Sequence, residues 1–257
     1  MAEICVVHLV WAPLGPAPLE RFARSYRQHE AGTDHRLLMV FKEFKDPQQL
    51  ADTERLVSDL EYESLHMPRR KLDLAAYRAI AQQIESPAFF FLNSNSELLD
   101  SGWLAKPLGH LERQGVGMVG ATGSYESLLP PSGVLRFLRS AWFDPFPNPH
   151  VRTNAFLMRR DLMVSLHWGE VVTKSGAWRL ENGKRSVTQQ VWEDGLEALV
   201  VGRDGEAYPH DRWYESHTFR SGGQRNLLVA DNRTRQFAEA DPAERRRLAE
   251  LAWGDRA

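Results

Sequence analysis

Three stretches of this 257-residue chain gather side chains able to do chemistry. Asn93-Ser94-Asn95-Ser96 follows directly on an apolar run, 88–92, so two amides spaced by one residue stand at the end of what reads as a buried strand. Amides offer neutral oxygens and N–H donors that suit ribose, sugar and phosphate recognition, whereas a hard dication wants carboxylates. Glu181, in Arg179-Leu180-Glu181-Asn182-Gly183-Lys184-Arg185, could take a proton from a hydroxyl if it is accessible. Beyond the last apolar run come His210, Trp213 and Arg220, whose types suit anions and flat ring faces. Plain structural readings fit the same letters. An Asn/Ser turn capping the next helix would use the amides, and Glu181 would favour a helix start electrostatically.

Composition removes other chemistries. Cys5 is the single cysteine and sits in an apolar run, so neither an intramolecular disulfide nor a cysteine metal cluster is available. Lys plus Arg number 32 against 34 Asp plus Glu, a net charge of -2 that gives no global reason to bind nucleic acid. The first apolar stretch is too short to span a bilayer and lacks a basic flank, so a cytoplasmic chain without a transmembrane segment is expected. No nucleophile elbow, Walker loop or H-E-x-x-H motif occurs. Gly115-Val-Gly-Met-Val-Gly120 matches the dinucleotide fingerprint letter for letter. Its context is reversed, because a helix precedes it and a strand runs through it. Asn232-Arg233-Thr234 fits a glycosylation acceptor that a chain without an export signal would leave unused.

The elements that would position these residues follow from periodicity and punctuation. Strands are expected at 3–10, 36–44, 64–68, 88–92, 117–121, 155–158 and 198–201. Helices are expected at 19–30, 46–58, 74–84 with Asp73 opening it, 101–113, 134–142, 160–168, 185–194 and 241–253. Strand and helix alternate through the first half, which predicts an α/β fold with a mostly parallel central sheet flanked by helices. Ligands of such sheets collect at the carboxyl ends of the strands, where the 93–96 segment lies. From 123 to 149 proline clusters break the pattern, giving an irregular second half. One domain is expected, divided into 1–122, 123–235 and a terminal helical piece at 236–257.

In this order Phe89-Phe-Phe-Leu-Asn-Ser-Asn-Ser resembles the nucleotide-sugar-binding half of GT-A-type glycosyltransferases. There the strand ends in a D-x-D motif that holds a divalent metal on the sugar diphosphate. Asn93 and Asn95 stand where that superfamily of nucleotide-diphospho-sugar transferases places its aspartates. The resemblance covers about the first 230 residues and implies the GT-A-like fold. It implies a donor site of Trp11, on the base-facing loop, Asp73, Asn93, Asn95 and Arg152, with His210 and Arg220 neutralising the leaving diphosphate. Glu181 matches the acidic residue of the x-E-D motif, with Asn182 in place of the Asp, and becomes the catalytic base.

The implied reaction moves a sugar from a nucleotide diphosphate sugar to a hydroxyl of a saccharide acceptor, with inversion if Glu181 is the base. Bacterial surface polysaccharide synthesis is the implied setting. Mg²⁺ or Mn²⁺ would enter only if Asn93 and Asn95 made a weak divalent site, so no metal is carried over. A non-catalytic nucleotide- or carbohydrate-binding module on the same fold would keep these residues without the base. A nucleotidyltransferase would need a basic loop after the first strand, and Trp11-Ala-Pro-Leu-Gly-Pro has no cation there. The eight tryptophans divide accordingly. Trp142, Trp178 and Trp213, beside polar clusters, suit the acceptor, and Trp103, Trp168, Trp192 and Trp253 fall in expected helices.

Overall fold

A computed structural model describes residues 3–69, 71–130, 132–169 and 173–256. In the first half β1 (Ile4–Trp11), α1 (Ala17–Gln28), β2 (His35–Lys42), α2 (Pro47–Arg55), β3 (Glu63–Met67), α3 (Asp73–Gln83) and β4 (Ala88–Leu92) alternate as expected. A two-residue strand β5 (Glu97–Leu98), α4 (Ala105–Leu111) and β6 (Val116–Gly120) follow. The second half holds β7 (Gly123–Ser124), α5 (Val134–Arg139), β8 (His150–Val151), β9 (Ala155–Arg159), α6 (Arg160–Ser165), α7 (Lys174–Asn182) and α8 (Val187–Glu193). Strands β10 (Glu197–Val201), β11 (Ala207–Tyr208) and β12 (Val229–Ala230) precede the closing helices α9 (Asn232–Glu239) and α10 (Pro242–Trp253).

Eight strands form the central sheet in the order β11-β10-β6-β9-β4-β1-β2-β3. The pairs β1–β2, β2–β3, β1–β4 and β6–β10 are parallel. Strand β9 runs antiparallel between β4 and β6, and β11 antiparallel at the edge. The sheet therefore draws strands from both sides of residue 122. Its interior strands are buried on both faces, which is why β1 and β4 read as continuous apolar runs. Successive residues serve opposite cores: Val7, Leu9, Phe89 and Phe91 pack on one face, Val6, Val10, Phe90 and Leu92 on the other.

Several expectations need correction. The strand expected to reach residue 44 stops at Lys42, because Glu43 takes a left-handed backbone with φ 63°. The helix expected at 134–142 ends at Arg139. Helices α7 and α9 were not foreseen. Glu181 consequently sits in the last turn of α7 and not at a helix start. Gly117 and Gly120 serve packing, while Gly115 takes a positive φ of 85° ahead of β6. A Cβ at Gly120 would lie 2.2 Å from Val151 Cγ1, and one at Gly117 would lie 2.9 Å from Val191 Cγ1.

Two small pairings shape the sheet edge beyond β4 and β6. Strand β12 pairs with β5 and thereby holds the start of α9 beside Asn95. Strand β7 pairs with β8, which fixes Arg152 and Thr153 in the link to β9.

Candidate active site

β1, β2 and β4 end on one edge of the sheet, and a cleft of about 540 Å³ opens there. Trp11 closes β1, Lys42 closes β2, and Ser94 and Asn95 follow β4; all four line the cleft. One wall is the start of α3 with Asp73. Another is α7, whose Lys174, Ala177, Trp178 and Glu181 are spaced i, i+3, i+4 and i+7 and so share a helix face. The N-terminus of α9 contributes Asn232 and Arg233.

The Glu181 carboxyl group is held by a neighbouring hydroxyl. Thr153 Oγ1 donates to its Oε1 at 2.8 Å. Its pKa lies above 4.5, chiefly because burial disfavours the charge; the Thr153 bond opposes this, Asp73 adds to it and Arg152 opposes it. Its place near the carbonyl end of α7 disfavours the anion too. The fully buried Tyr77 lies one turn along α3 from Asp73, and its hydroxyl has no hydrogen-bond partner. Burial raises that phenol, with Asp73 and Glu181 adding to the effect.

Two ion pairs brace the cleft. Lys42 Nζ, 3% exposed, meets Asp73 Oδ1 at 2.6 Å, which fixes the floor between β2 and α3. Arg152 Nη2 meets Asp231 Oδ2 at 2.7 Å. Asp231 also caps α9, accepting from the amides of Arg233 and Thr234, while Thr234 Oγ1 accepts from the Asp231 amide. Those charge-stabilising contacts hold Asp231 below the usual carboxylate range although burial acts the other way. Lys71, Lys174 and Arg233 line the cleft and make no ion pair among the described residues, so they offer it positive charge.

The amide pair divides its work. Asn93 Oδ1 accepts from the Asn95 amide at 2.9 Å and from Ser96 Oγ at 3.2 Å, a local turn that turns this oxygen away from any ligand. Asn95 lines the cleft; Asn93 does not. These residues do not fit a divalent ion. The first amide oxygen is used in the turn, the second residue is a neutral amide, and the nearby Asp73 is paired to Lys42. Among the described residues no group of three or more His, Cys, Asp or Glu is arranged to hold a metal.

The structure therefore brings Trp11, Asp73, Asn95, Trp178 and Glu181 to one cleft. Arg152 stands behind it, its guanidinium stacked 4.1 Å from the Phe219 ring. Four expected site residues lie elsewhere. Trp213 is fully buried, with Nε1 donating to the Tyr208 carbonyl, so it has no free face for a sugar. Arg220 is 4% exposed, lies 3.5 Å from Glu126, and is lowered to about 10 by burial; it points into the protein and not at a diphosphate. His210 packs on Trp192 outside the cleft. Trp142 is 43% exposed but lies on the far side of α7, under the Arg179 guanidinium at 4.2 Å.

Lys42, Lys71, Lys174, Thr153, Asp231 and Arg233 are functional candidates that sequence reasoning missed. Two signals were present: a lysine closing a buried strand, and the capping pattern Asp231-x-x-Thr234.

No protein-family model matches the chain, and no curated protein matches it in sequence. Solved structures do match. Mannosyltransferase PcManGT from Pyrobaculum calidifontis, in complex with GDP-Man and Mn²⁺, aligns over 97% of this chain and 70% of its own, with 15% identity and a TM-score of 0.52. The 4-diphosphocytidyl-2C-methyl-D-erythritol synthase from Anaerococcus prevotii aligns over 78% of this chain and 88% of its own, with 8% identity and a TM-score of 0.50. Glucosyl-3-phosphoglycerate synthase from Mycobacterium tuberculosis, in complex with Mn²⁺, UDP and phosphoglyceric acid, aligns over 64% of this chain and 58% of its own, with 17% identity and a TM-score of 0.44. At such identities the likeness is one of fold. The chain carries a GT-A-like mixed α/β fold with a large, mostly parallel central sheet flanked by helices.

Proposed function

We propose that the protein transfers a sugar from a nucleotide diphosphate sugar to a hydroxyl acceptor, with Glu181 as general base and inversion at the anomeric carbon. The observation that carries this reading is the desolvated Glu181 carboxylate, one oxygen held by Thr153, in a cleft that also presents Trp178 and several cations. The GT-A-like fold supports a sugar-diphosphate donor at this sheet edge, and the first matching structure was obtained with GDP-Man.

In this mechanism the acceptor hydroxyl gives its proton to Oε2 of Glu181, the oxygen that Thr153 leaves free. Its oxygen bonds to the anomeric carbon while the bond from that carbon to the diphosphate breaks. The electron pair leaves with the diphosphate, whose growing charge falls to Lys71, Lys174 and Arg233. These take the part that the resemblance implied for Arg220 and His210. No step passes through a metal. Asp73 and Trp11 stand where they can bind the donor base, and the Trp178 ring offers the acceptor sugar a flat apolar face. A saccharide acceptor of a surface polysaccharide fits this reading.

The test is turnover of a panel of nucleotide sugars by the native chain and by Glu181→Gln, with donor affinity measured on both. The substitution should cost about 10²–10⁴-fold in turnover with donor affinity kept. Equal turnover would remove Glu181 from the mechanism. Donor binding without turnover in the native chain would favour a non-catalytic nucleotide-binding module.

A further inference from the structure

A helix on a protein surface ordinarily turns its apolar face inward. α5 does the reverse. Val134, Leu135, Phe137 and Leu138 are 76%, 58%, 81% and 54% exposed. Arg136 and Arg139 instead lean on the body, donating to the carbonyls of Pro130 at 3.1 Å and Leu128 at 3.2 Å. No residue of α5 is buried. Trp142 and Phe146, 43% and 45% exposed, extend the apolar surface past the helix.

Charge on this surface has one dominant sign. From Leu128 to Phe143 the sequence holds Arg136 and Arg139 and no carboxylate. Arg179 stacks over Trp142, and the Lys184 amide donates to the Trp142 carbonyl, so two more cations border the patch. Asp144, next along the chain, lies 3.8 Å from Lys184 Nζ.

Contiguous exposed apolar side chains mark a surface that is covered in use. Aromatic and aliphatic residues interleaved with arginines match the interface of an acidic bilayer, where rings and methyls enter the acyl boundary and guanidiniums meet phosphates. Among the described residues no helix is long and apolar enough to cross a membrane, so the contact belongs in the plane of the interface. We propose that α5 and the turn after it dock the protein on the surface of an anionic lipid bilayer. α7 links this face to the cleft, because it carries Arg179 toward the patch and Trp178 and Glu181 toward the cleft. Docking therefore sets α7 between the membrane surface and the cleft. The inference stands independently of the part given to Glu181.

Flotation of the full chain with vesicles tests it. The chain should float with vesicles of phosphatidylcholine and phosphatidylglycerol, float poorly with phosphatidylcholine alone, and release as salt rises. The double variant Phe137→Ser, Leu138→Ser should lose about tenfold or more of that binding with an unchanged melting temperature, since neither side chain is packed. Should the pair lower the melting temperature, Val134→Ser replaces it. No flotation with acidic vesicles, or equal flotation of native chain and variant, would overturn the proposal. So would a lipid-free dimer, seen by sedimentation velocity, that the same substitutions dissociate, because a second copy would then be what covers α5.

Discussion

Glu181, the proposed base, also bears on the stability of the fold. Its folded pKa lies above 4.5, with burial as the first cause, so the fold is penalised for the anion. Below 4.5 the carboxyl is protonated both folded and unfolded, and the penalty is absent; it grows as pH rises from 4.5 through the folded value. Glu181→Gln should therefore raise the melting temperature near neutral pH, and the gain should vanish at about pH 4. Melting curves at the two pH values read this directly; a loss of stability at neutral pH would contradict it. Thr153→Val removes the hydroxyl that steadies the anion, so the acidic limb of the pH–rate profile should move to higher pH. An unmoved limb would show that the limb belongs to another group. Glu181 stood out as a candidate from its own neighbours in sequence, but Thr153 did not. The two lie 28 residues apart and meet only because α7 packs beside the link from β8 to β9. Trp213 misled for a related reason. Gly123 makes room for its ring, a Cβ there lying 2.7 Å from it, and local sequence does not reveal that non-local pocket.

At the scale of elements the start of α9 is the most exacting piece of construction. Asp231 is 1% exposed, caps the helix and pairs with Arg152. Asp231→Ala should lose about 1 kcal/mol for the cap and about 3–5 kcal/mol in all, because a largely buried guanidinium is left without its partner. Urea unfolding measures the loss, and a cost near zero would show that the pair is dispensable. Asp231 is held low, so its contribution is present above 3.8 and is lost as pH falls through its depressed value. The core strands were legible because parallel strands covered on both faces must be apolar throughout, as in 88–92. α7 was illegible because the face made by Lys174, Ala177, Trp178 and Glu181 lines a cleft and Leu180 is its one buried apolar residue, so it carries little apolar period. α9 left a trace in its capping letters alone.

Across the whole molecule, two buried histidines add to the loss of stability in acid. His8 stacks on Phe22 at 3.7 Å with neither ring nitrogen hydrogen-bonded, and burial lowers it to about 3. His150, also buried, is lowered to about 4 for the same first reason. Both stay neutral in the fold while the unfolded chain takes up protons near 6.5, so stability falls as pH drops below 6.5. His8→Leu removes two unpaired polar atoms from the core; it should stabilise the protein and flatten the loss of stability between pH 6.5 and about 3, as urea unfolding across that range would read. An unchanged slope would contradict this. The α/β order of the first half was legible from composition and spacing, and the cleft opens at the strand edge that this order singles out. The cations that serve that edge come from segments as far apart as Lys71 and Arg233, and only the closed fold assembles them. The most direct test of the whole account is proton NMR of the anomeric signal during reaction of the native chain with nucleotide sugars and an acceptor. Glu181 as base in a single displacement predicts a transferred sugar of inverted anomeric configuration; a retained configuration, or a donor signal that never decays with any nucleotide sugar, would contradict it.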